Sequence, residues 1–344
     1  MKQYDFIIIG GGLAGTTLAL HLLNHQKKIL LIDSKLSSSS RLAPGVWNPV
    51  VFKRFTISWN ATKLIDHLNT FYTAAENLLE QKLITPLSIR HIITSQEEEN
   101  LWNEKKSLYP RFIGNIETIK VTNIEYKTGQ VLQAGRLDVY YYMHLCKELL
   151  KQQSSFKEEV FDFKQVKIHT DYIEYKNIHC EHIIFCDGYL IKNNPYFQNI
   201  QLKPAKGEIL VIQTKEEILP ENLILHKNIS VIPIGENHYI LGSTYDWDNL
   251  NDLPTQTAKD FLLSNFKDLF RNVSYQVIYH LAGIRPAADR RPIIGTHSTY
   301  SNIHLFNGLG AKGVMLAPYY ANQLTEYLLH QKAIDTEVDV KRFC

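Results

Sequence analysis

Glycines that separate two apolar stretches are the first residues in this sequence whose spacing could do chemistry. Gly10, Gly12 and Gly15 in "IIIGGGLAGTTLALHLL" fit the pattern G-x-G-x-x-G, and Asp33 ends the next apolar run. In this pattern the first glycine permits a tight turn, the second lets a pyrophosphate approach the backbone, and the third lets a helix pack closely on a strand. A carboxylate at the end of the second strand would accept hydrogen bonds from a ribose. These four residues therefore predict a dinucleotide-binding site.

The elements that must position these residues can be predicted from the same stretch. "YDFIII" is apolar and β-branched, which is typical of a strand buried on both faces, and "KKILLID" reads as a second such strand. Between them "TTLALHLLNH" places Leu18, Leu22 and Leu23 on one helical face. The order strand, glycine turn, helix, strand predicts a βαβ unit, whose helix N-terminus would offer N–H groups to phosphates.

Three stretches far along the chain add a second group of candidate residues. "IPIGENHYILGSTYD" predicts a β-hairpin, and "HLAGIRPAADRRPIIG" carries Arg285 followed by a proline and further cations. "HLFNGLGAKGVMLAPYYANQLTEYLL" predicts a strand, a glycine-rich turn and a long helix. The N-terminus of that helix would again face an electron-rich ligand atom.

The composition restricts the class of protein. The chain has 344 residues, 44% of them hydrophobic and 21% charged, with a formal net charge of +2. This profile is typical of a globular chain of one large domain or two interleaved ones. The near balance of charge argues against nucleic acid as an obligatory partner. We expect no transmembrane segment, since no apolar run approaches about 20 residues, and the low cysteine content favours the cytoplasm.

The order of motifs along nearly the whole chain resembles the D-amino acid oxidase/glycine oxidase family of FAD-dependent oxidoreductases. The resemblance rests on nine stretches that follow one another in the order of that family. They are "IIIGGGLAG", "SSRLAPGVWNP", "GRLDVYYYMHLCKELL", "EEVFDF", "HIIFCDGYL", "KPAKGEIL", "VIPIGENHYILGSTYD", "GIRPAADRRPIIG" and "NGLGAKGVMLAP".

The resemblance implies an FAD cofactor held without a covalent bond, because no Cys or His stands where some relatives attach the flavin. It implies that residues 43–48 lie beside the isoalloxazine ring and that the turn at Gly310 faces the flavin pyrimidine. No metal site is predicted. The predicted cofactor-binding residues are Gly10, Gly12, Leu13, Ala14, Gly15, Asp33, Ser34, Lys35, Ser40, Arg41, Val160, Gly188, Gly310, Lys312, Gly313 and Val314.

The same resemblance implies that Arg285 pairs with the substrate carboxylate, a task that suits a planar guanidinium with two parallel donors. The alternative for Arg285 is a salt bridge at the surface or between domains. Tyr245, Trp47 and Asn48 are further candidates for the substrate pocket, and the two aromatic rings could instead belong to the core. The chain departs from the family at Asp187, where a small residue is usual.

The predicted fold class is α/β, with a Rossmann-like FAD-binding domain of the glutathione-reductase type interleaved with a smaller, β-rich α+β substrate domain. Because the cofactor motifs lie at both ends and in the middle of the chain, the FAD-binding domain must be discontinuous. We assign residues 1–80, 135–195 and 282–344 to it, and residues 81–134 and 196–281 to the substrate-binding domain.

The predicted function is oxidation of the amine carbon of an amino acid or secondary amine by hydride transfer to flavin N5, with oxygen or a quinone as electron acceptor. Three alternatives remain open at this point. They are a 2-hydroxy acid dehydrogenase of the same superfamily, a stand-alone oxidase related to the tRNA wobble-uridine modification enzyme, and a flavoprotein without catalysis. Ser230 stands where many relatives have a tyrosine, so the resemblance does not imply specificity for small amino acids.

Overall fold

A computed structural model of the chain describes residues 2–34, 39–289 and 291–343; of the predicted site residues, Lys35 lies outside these ranges. The helices described are α1 (Leu13–Asn24), α2 (Ser39–Leu42), α3 (Ala61–Leu79), α4 (Gln96–Leu108), α5 (Val139–Gln152), α6 (Gln256–Leu269) and α7 (Gly313–His330). Four short 3₁₀ turns cover Phe163–Gln165, Gly188–Asn193, Gly310–Lys312 and Val340–Phe343.

The first sheet is built around parallel strands and carries the predicted βαβ unit. Its strands are β1 (Lys2–Ile9), β2 (Ile29–Asp33), β9 (Phe156–Glu158), β10 (Val166–Ile168), β11 (Ile173–Tyr175), β12 (Ile178–Phe185), β18 (Ile293–Thr296) and β19 (Ile303–Asn307). Strands β9, β2, β1, β12 and β19 are parallel neighbours in that order. Their carboxyl ends therefore meet at one edge, where ligands of open α/β sheets bind.

The second sheet is largely antiparallel. Its strands are β3 (Val46–Trp47), β6 (Ile84–Ile92), β7 (Ile113–Val121), β8 (Ile124–Leu137), β13 (Ala205–Thr214), β14 (Leu223–His226), β15 (Ser230–Pro233), β16 (His238–Gly242) and β17 (Tyr275–Arg285). They follow the order β17-β13-β16-β15-β14-β6-β8-β3, with β7 also paired to β8, while β4 (Val50–Val51) and β5 (Thr56–Ile57) form a separate pair. The predicted hairpin is confirmed as β15 and β16.

Apolar burial holds the two sheets and their helices together. Ile7 and Ile8 of β1 are fully buried on opposite faces, as the run of β-branched residues predicts. Helix α4, which its charges suggest to be fully solvated, instead buries Trp102 completely. The indole lies where a side chain at Gly129 of β8 would stand, so this helix is fixed to the second sheet.

Two of the predicted domain boundaries fall inside strands of the second sheet. The boundary at residue 282 falls inside β17 and the boundary at 135 falls inside β8, so both strands belong to the second sheet up to their last residues. Strand β3, from the predicted FAD-binding segment 1–80, pairs with the end of β8. Arg285 is therefore the last residue of a strand in the second sheet, and the chain passes from there to the first.

Candidate active site

The glycine turn after β1 brings three strands and a helix as close as their backbones allow. Gly10 has a φ of +103°, a value that side chains disfavour, and a Cβ there would lie 2.4 Å from the carbonyl oxygen of Cys186. A Cβ on Gly15 would lie 1.9 Å from the carbonyl oxygen of Gly10. Both positions therefore require glycine, for the two reasons that the sequence pattern predicts.

Helix α1 begins directly after this turn, and its N-cap residue makes no side-chain hydrogen bond to the helix. Gly12 is that N-cap and supplies no side chain, and the N–H of Leu13 donates to Ser40 Oγ at 3.2 Å. Ala14 and Gly15 lie in the same first turn, whose N–H groups lack partners within the helix. These groups and the positive end of the helix dipole can bind a phosphate.

Asp33 ends β2 and is held at the edge of the sheet by groups from three segments. Its Oδ1 accepts the N–H of Gly11 at 2.8 Å, and its Oδ2 accepts Lys147 Nζ at 2.7 Å. Arg41 lies 3.7 Å from the same Oδ2 and donates to the carbonyl oxygen of Ser34. The carboxylate is thereby fixed as an acceptor beside the glycine turn. Lys147 is a residue at the candidate site that the sequence patterns missed, although it lies in one of the nine stretches.

Val160 directly follows a residue whose backbone is hydrogen-bonded to Asp33. Strand β9 pairs with β2, and the N–H of Glu159 donates to the carbonyl oxygen of Asp33 at 2.9 Å. Val160 follows immediately and is 66% exposed. Its contact with an adenine ring stays a prediction.

The carboxyl ends of β12 and β19 are joined by a buried amide–carboxylate network. Asn307 Nδ2 donates to Asp187 Oδ1 at 2.9 Å and to the carbonyl oxygen of Gly188 at 3.0 Å, while Asn194 Nδ2 donates to Asp187 Oδ2 at 3.0 Å. The side-chain oxygen of Asn307 accepts the N–H of Gly308 at 2.8 Å. Asp187 thus ties the Gly188 turn to the glycine-rich turn before α7.

Burial raises the pKa of Asp187 to about 6, although its hydrogen bonds with the two asparagines oppose that rise. The charged form is disfavoured in the folded state, so its contribution to stability is greatest below pH 4 and is lost as the pH rises through 6. We expect Asp187→Asn to gain stability relative to the wild type between pH 4 and pH 7, by up to about 3 kcal/mol. Urea unfolding at several pH values measures this difference.

The matched control for that experiment is Asp171→Asn, because Asp171 is an exposed carboxylate. Its difference from the wild type should not change over the same pH interval. A constant difference for Asp187→Asn as well would contradict the assignment of a penalised buried charge.

The end of β17 is linked directly to the turn before α7. The N–H of Gly310 donates to the carbonyl oxygen of Pro286 at 3.1 Å, and Ala287 forms a β-bridge with Leu309. Pro286 also lies 3.8 Å from where a Cβ of Gly188 would stand. These contacts bring Arg285, which ends the strand, to the same place as the glycine turns of the first sheet.

The guanidinium of Arg285 is stacked and partly buried, and it has no acidic partner among the described residues. Its carbon lies 4.4 Å from the centre of the Tyr245 ring, and its Nη1 donates to the carbonyl oxygen of Thr244 at 3.3 Å. It occupies the space in which a side chain at Gly207 would stand, so that glycine makes room for it. Burial lowers the pKa of Arg285. Across the described ranges no carboxylate forms a salt bridge with it, so the alternative of an interdomain ion pair gains no support.

Lys312 is a second cation in this region. Its Nζ donates to the carbonyl oxygen of Asn48 at 2.9 Å and to Ser58 Oγ. Burial lowers its pKa to about 8, and no ion pair joins it to an acid within the described part of the chain. The bond from Lys312 to Asn48 connects the loop of residues 43–48 to the start of α7. The side-chain oxygen of Asn48 also accepts the N–H of Val50 at 2.8 Å.

The aromatic candidates differ in where they lie. Trp47 is 5% exposed, its indole N–H donates to the carbonyl oxygen of Gln133 at 3.0 Å, and its ring covers Gly135. Its ring therefore packs in the core, and a contact with substrate stays a prediction. Tyr245 is 53% exposed and carries the guanidinium of Arg285 on its ring.

The remaining predicted residues complete the turn. Gly310 has a φ of +56°, Gly313 begins α7 and Val314 is buried in its first turn. In the part of the chain that the structure describes, no group of acidic, His and Cys side chains could hold a metal ion. No helix within the described residues has the length and apolar character that a membrane crossing requires.

Taken together, the site offers a helix N-terminus whose N-cap has no side chain, a fixed carboxylate, and two cations that lack acidic partners among the described residues. They lie where the parallel edge of the first sheet meets the end of β17. Such an arrangement can hold an anionic dinucleotide along the first sheet and a small carboxylate at Arg285.

Several known proteins are similar to this chain in sequence or in fold. A glycine oxidase of Pseudomonas aeruginosa is 26% identical over 149 residues, which cover 43% of this chain and 40% of that protein. A glycine oxidase of Bacillus licheniformis is 23% identical over 95% of this chain and 94% of its own length. The structure of an iminodiacetate oxidase from Chelativorans sp. superposes with a TM-score of 0.78 over 98% of both chains, at 15% identity.

The alignments to the first two relatives span only about two fifths of their length. The family model covers far more of the chain, since "DAO: FAD dependent oxidoreductase" matches residues 5–327. The chain belongs to the DAO family of FAD-dependent oxidoreductases.

Proposed function

We propose that this protein oxidises the amine carbon of an amino acid or secondary amine and that Arg285 binds the carboxylate of that substrate. One observation supports the proposal above all: a partly buried guanidinium, stacked on Tyr245, has no salt bridge to any carboxylate of the described residues. A buried cation without a partner is unfavourable. A bound carboxylate would satisfy it with two parallel hydrogen bonds.

The residues present fit FAD, the cofactor of the family. A Cβ at Gly10 or Gly15 would collide with backbone, so the turn is closed to side chains but open to a pyrophosphate at the N-terminus of α1. Asp33 is fixed as a hydrogen-bond acceptor for ribose hydroxyls. When bound, FAD would accept a hydride from the amine carbon at flavin N5, leaving an imine that water hydrolyses.

The chain's own part in the reaction is then to orient the substrate. Two oxygens held by one planar guanidinium leave the substrate little rotational freedom, and positioning of that kind accounts for several kcal/mol in reactions limited by entropy. Tyr245 and the carbonyl oxygen of Thr244 hold Arg285 in place before substrate arrives. The names of relatives, among them glycine oxidase and iminodiacetate oxidase, support a primary or secondary amine beside the carboxylate.

Lys312 provides a test of the cofactor side. Its pKa of about 8 in the free protein should rise when the anionic FAD binds, because a nearby negative charge favours the charged amine. Binding then favours the protonated form, so FAD affinity should fall as the pH rises above 8, by at most about tenfold per pH unit. Quenching of flavin fluorescence on addition of apoprotein measures the affinity.

In Lys312→Met this pH dependence should disappear, whereas Lys63→Met, which replaces an exposed lysine on α3, should retain it. An identical pH profile for wild type and Lys312→Met would remove Lys312 from the cofactor site.

The proposed reaction is tested by anaerobic mixing of the FAD-loaded protein with a panel of amines and acids. At least one amine of the panel should bleach the flavin absorbance, and 2-hydroxy acids should not. The amines are glycine, N-methylglycine, iminodiacetate and D- and L-amino acids. Bleaching by hydroxy acids alone would favour the dehydrogenase alternative. The lack of bleaching by every small molecule would refute the proposal, and strong, salt-dependent binding of tRNA would then point to the RNA-modifying relatives.

A further inference from the structure

Two exposed aromatic side chains continue outward from Arg285. Tyr245 is 53% exposed and Trp247 is 64% exposed, and their rings are stacked with centroids 5.9 Å apart and planes 24° apart. The guanidinium carbon of Arg285 lies 4.4 Å from the centre of the Tyr245 ring. A cation and two flat rings therefore form a continuous row from the end of β17 towards solvent.

The segment that carries these rings is fixed to the second sheet at its near end. The backbones of Lys206 and Asp246 exchange two hydrogen bonds, of 2.8 and 3.0 Å. The side chain of Asp246 accepts the N–H groups of Asp248 and Asn249 at 2.9 and 3.1 Å, which closes a tight turn around Trp247. Trp247 is thus exposed on an ordered turn whose backbone hydrogen bonds are made.

The far end of the segment is fixed by charged side chains that are almost wholly buried. Lys206 Nζ donates to Asn251 Oδ1 at 3.1 Å and to the carbonyl oxygen of Leu253, and lies 3.4 Å from Glu208. Glu208 accepts the N–H and the hydroxyl of Thr255 at 2.8 and 2.9 Å. Burying charges is costly unless they are paired and hydrogen-bonded, and here both are. The result is a rigid support that holds an exposed indole close to the cation.

A single exposed aromatic residue needs no explanation. A stacked pair of exposed rings beside a cation with no acidic partner in the described part of the chain is a different case, because it matches the chemistry of one kind of ligand. Aromatic rings pack best on other rings at centroid separations of 4.5–7 Å, and Trp247 still has most of its surface uncovered.

We propose that Tyr245 and Trp247 form a subsite for a planar ring, so that the substrate carries an aromatic or heteroaromatic group joined by a short chain to the carboxylate that Arg285 binds. The inference rests on the proposed function of Arg285. The guanidinium carbon lies 4.4 Å from the centre of the phenol ring, and the phenol and indole centroids are 5.9 Å apart, so both rings lie close to the proposed carboxylate site.

The test uses three carboxylates that cannot be oxidised because they have no amine: propanoate, phenylpropanoate and cyclohexylpropanoate. Each is titrated into the FAD-loaded oxidised enzyme, and the change in the flavin absorption spectrum gives its dissociation constant. We expect phenylpropanoate to bind tightest, cyclohexylpropanoate to bind more weakly although it has similar apolar surface, and propanoate to bind weakest. In Trp247→Ala the ratio of the phenylpropanoate and propanoate affinities should fall by about threefold to tenfold.

Trp247→Leu retains apolar bulk on the turn, and should lose the preference for the planar ring over the cyclohexyl ring. Tyr279→Ala is the matched control, since Tyr279 is 60% exposed on β17 but lies six residues before Arg285, roughly 20 Å away along an extended strand. This variant should keep all three affinities.

The outcomes separate this inference from the proposed function. Equal affinities for the three carboxylates, or ratios unchanged by Trp247→Ala and Trp247→Leu, would overturn the aromatic subsite while leaving Arg285 as the carboxylate site. Failure of all three carboxylates to bind would overturn both.

Discussion

Arg285→Ala should abolish rapid flavin reduction by the substrate while the protein still binds FAD. In this variant the substrate carboxylate would be partly buried, and the guanidinium that is proposed to pair with it would be missing. Removing one member of such a pair typically costs about 3–5 kcal/mol, which corresponds to a loss of roughly two to three and a half orders of magnitude in kcat/KM. Anaerobic stopped-flow measurement of flavin reduction gives both the limiting rate and the apparent substrate affinity.

Two further variants make this result specific. Arg285→Lys keeps the charge but not the planar pair of donors, so it should recover only part of the loss. Arg291→Ala is the matched control, because Arg291 lies 3.5 Å from Glu337 and over the ring of Trp59, away from Tyr245. It should change kcat/KM less than about twofold. Unchanged substrate affinity in Arg285→Ala, with FAD bound, would refute the assigned role.

The cofactor side of the site could be predicted from the sequence because its signals are local. A tight turn, an approach of backbone to phosphate and a strand ending in an acid all leave their mark within the first 33 residues. Gly10 and Gly15 have the backbone contacts that the pattern predicts, and Asp33 ends β2. The parallel strands around them confirm the predicted α/β fold with its Rossmann-like sheet.

What the sequence could not predict is set by contacts between distant segments. Lys147 reaches Asp33 from 114 residues away, and Asn307 reaches Asp187 from 120 residues away. No periodicity or spacing rule links such pairs, since they depend on how α5 packs and on which strands become neighbours. The family resemblance located Asp187 as a departure, but only the fold provides its two amide partners.

The predicted boundary at residue 282 lies inside β17, whose pairing with β13 also depends on contacts between distant segments. The "AGIRP" stretch comes shortly before the last cofactor motifs along the chain, yet hydrogen bonds keep β17 beside β13 as far as Arg285, which is paired with Ala205. The pairing is what gives Arg285 its fixed direction over Gly207. A sequence pattern identifies the arginine, whereas the sheet register determines what it can touch.

Arg285 differs from several other cations of the chain because those cations have carboxylate partners. Asp289 pairs with Arg342 on the surface, as expected for a solvated charge cluster. Lys147, at Asp33, has a carboxylate within hydrogen-bond distance. Arg285 and Lys312 are partly buried without one in the described ranges, and they lie on either side of the turn at Gly310. Bound anionic ligands would supply the charge that balances them, as the proposed function requires.

Gly15→Ala should leave the purified protein largely without FAD. Gly15 has an ordinary helical backbone, so the alanine adds no conformational strain, and the whole effect arises from its Cβ, which would lie 1.9 Å from the carbonyl oxygen of Gly10. Because that oxygen belongs to the backbone of the turn, α1 must move away from β1 and the phosphate-binding N–H groups move with it. We expect FAD affinity to fall by about 3 kcal/mol or more, which is over a hundredfold.

Flavin content after gel filtration and the dissociation constant of FAD measure this effect, and urea unfolding reports any accompanying loss of stability. The matched control is Gly235→Ala, in the turn between β15 and β16, where nothing lies within 4 Å of the added Cβ. Gly235 has a φ of +92°, so this alanine is strained by its backbone alone and should lower stability without lowering FAD affinity. Full FAD binding by Gly15→Ala would show that the turn can open at little cost, and the close packing of α1 on β1 would then no longer explain the cofactor site.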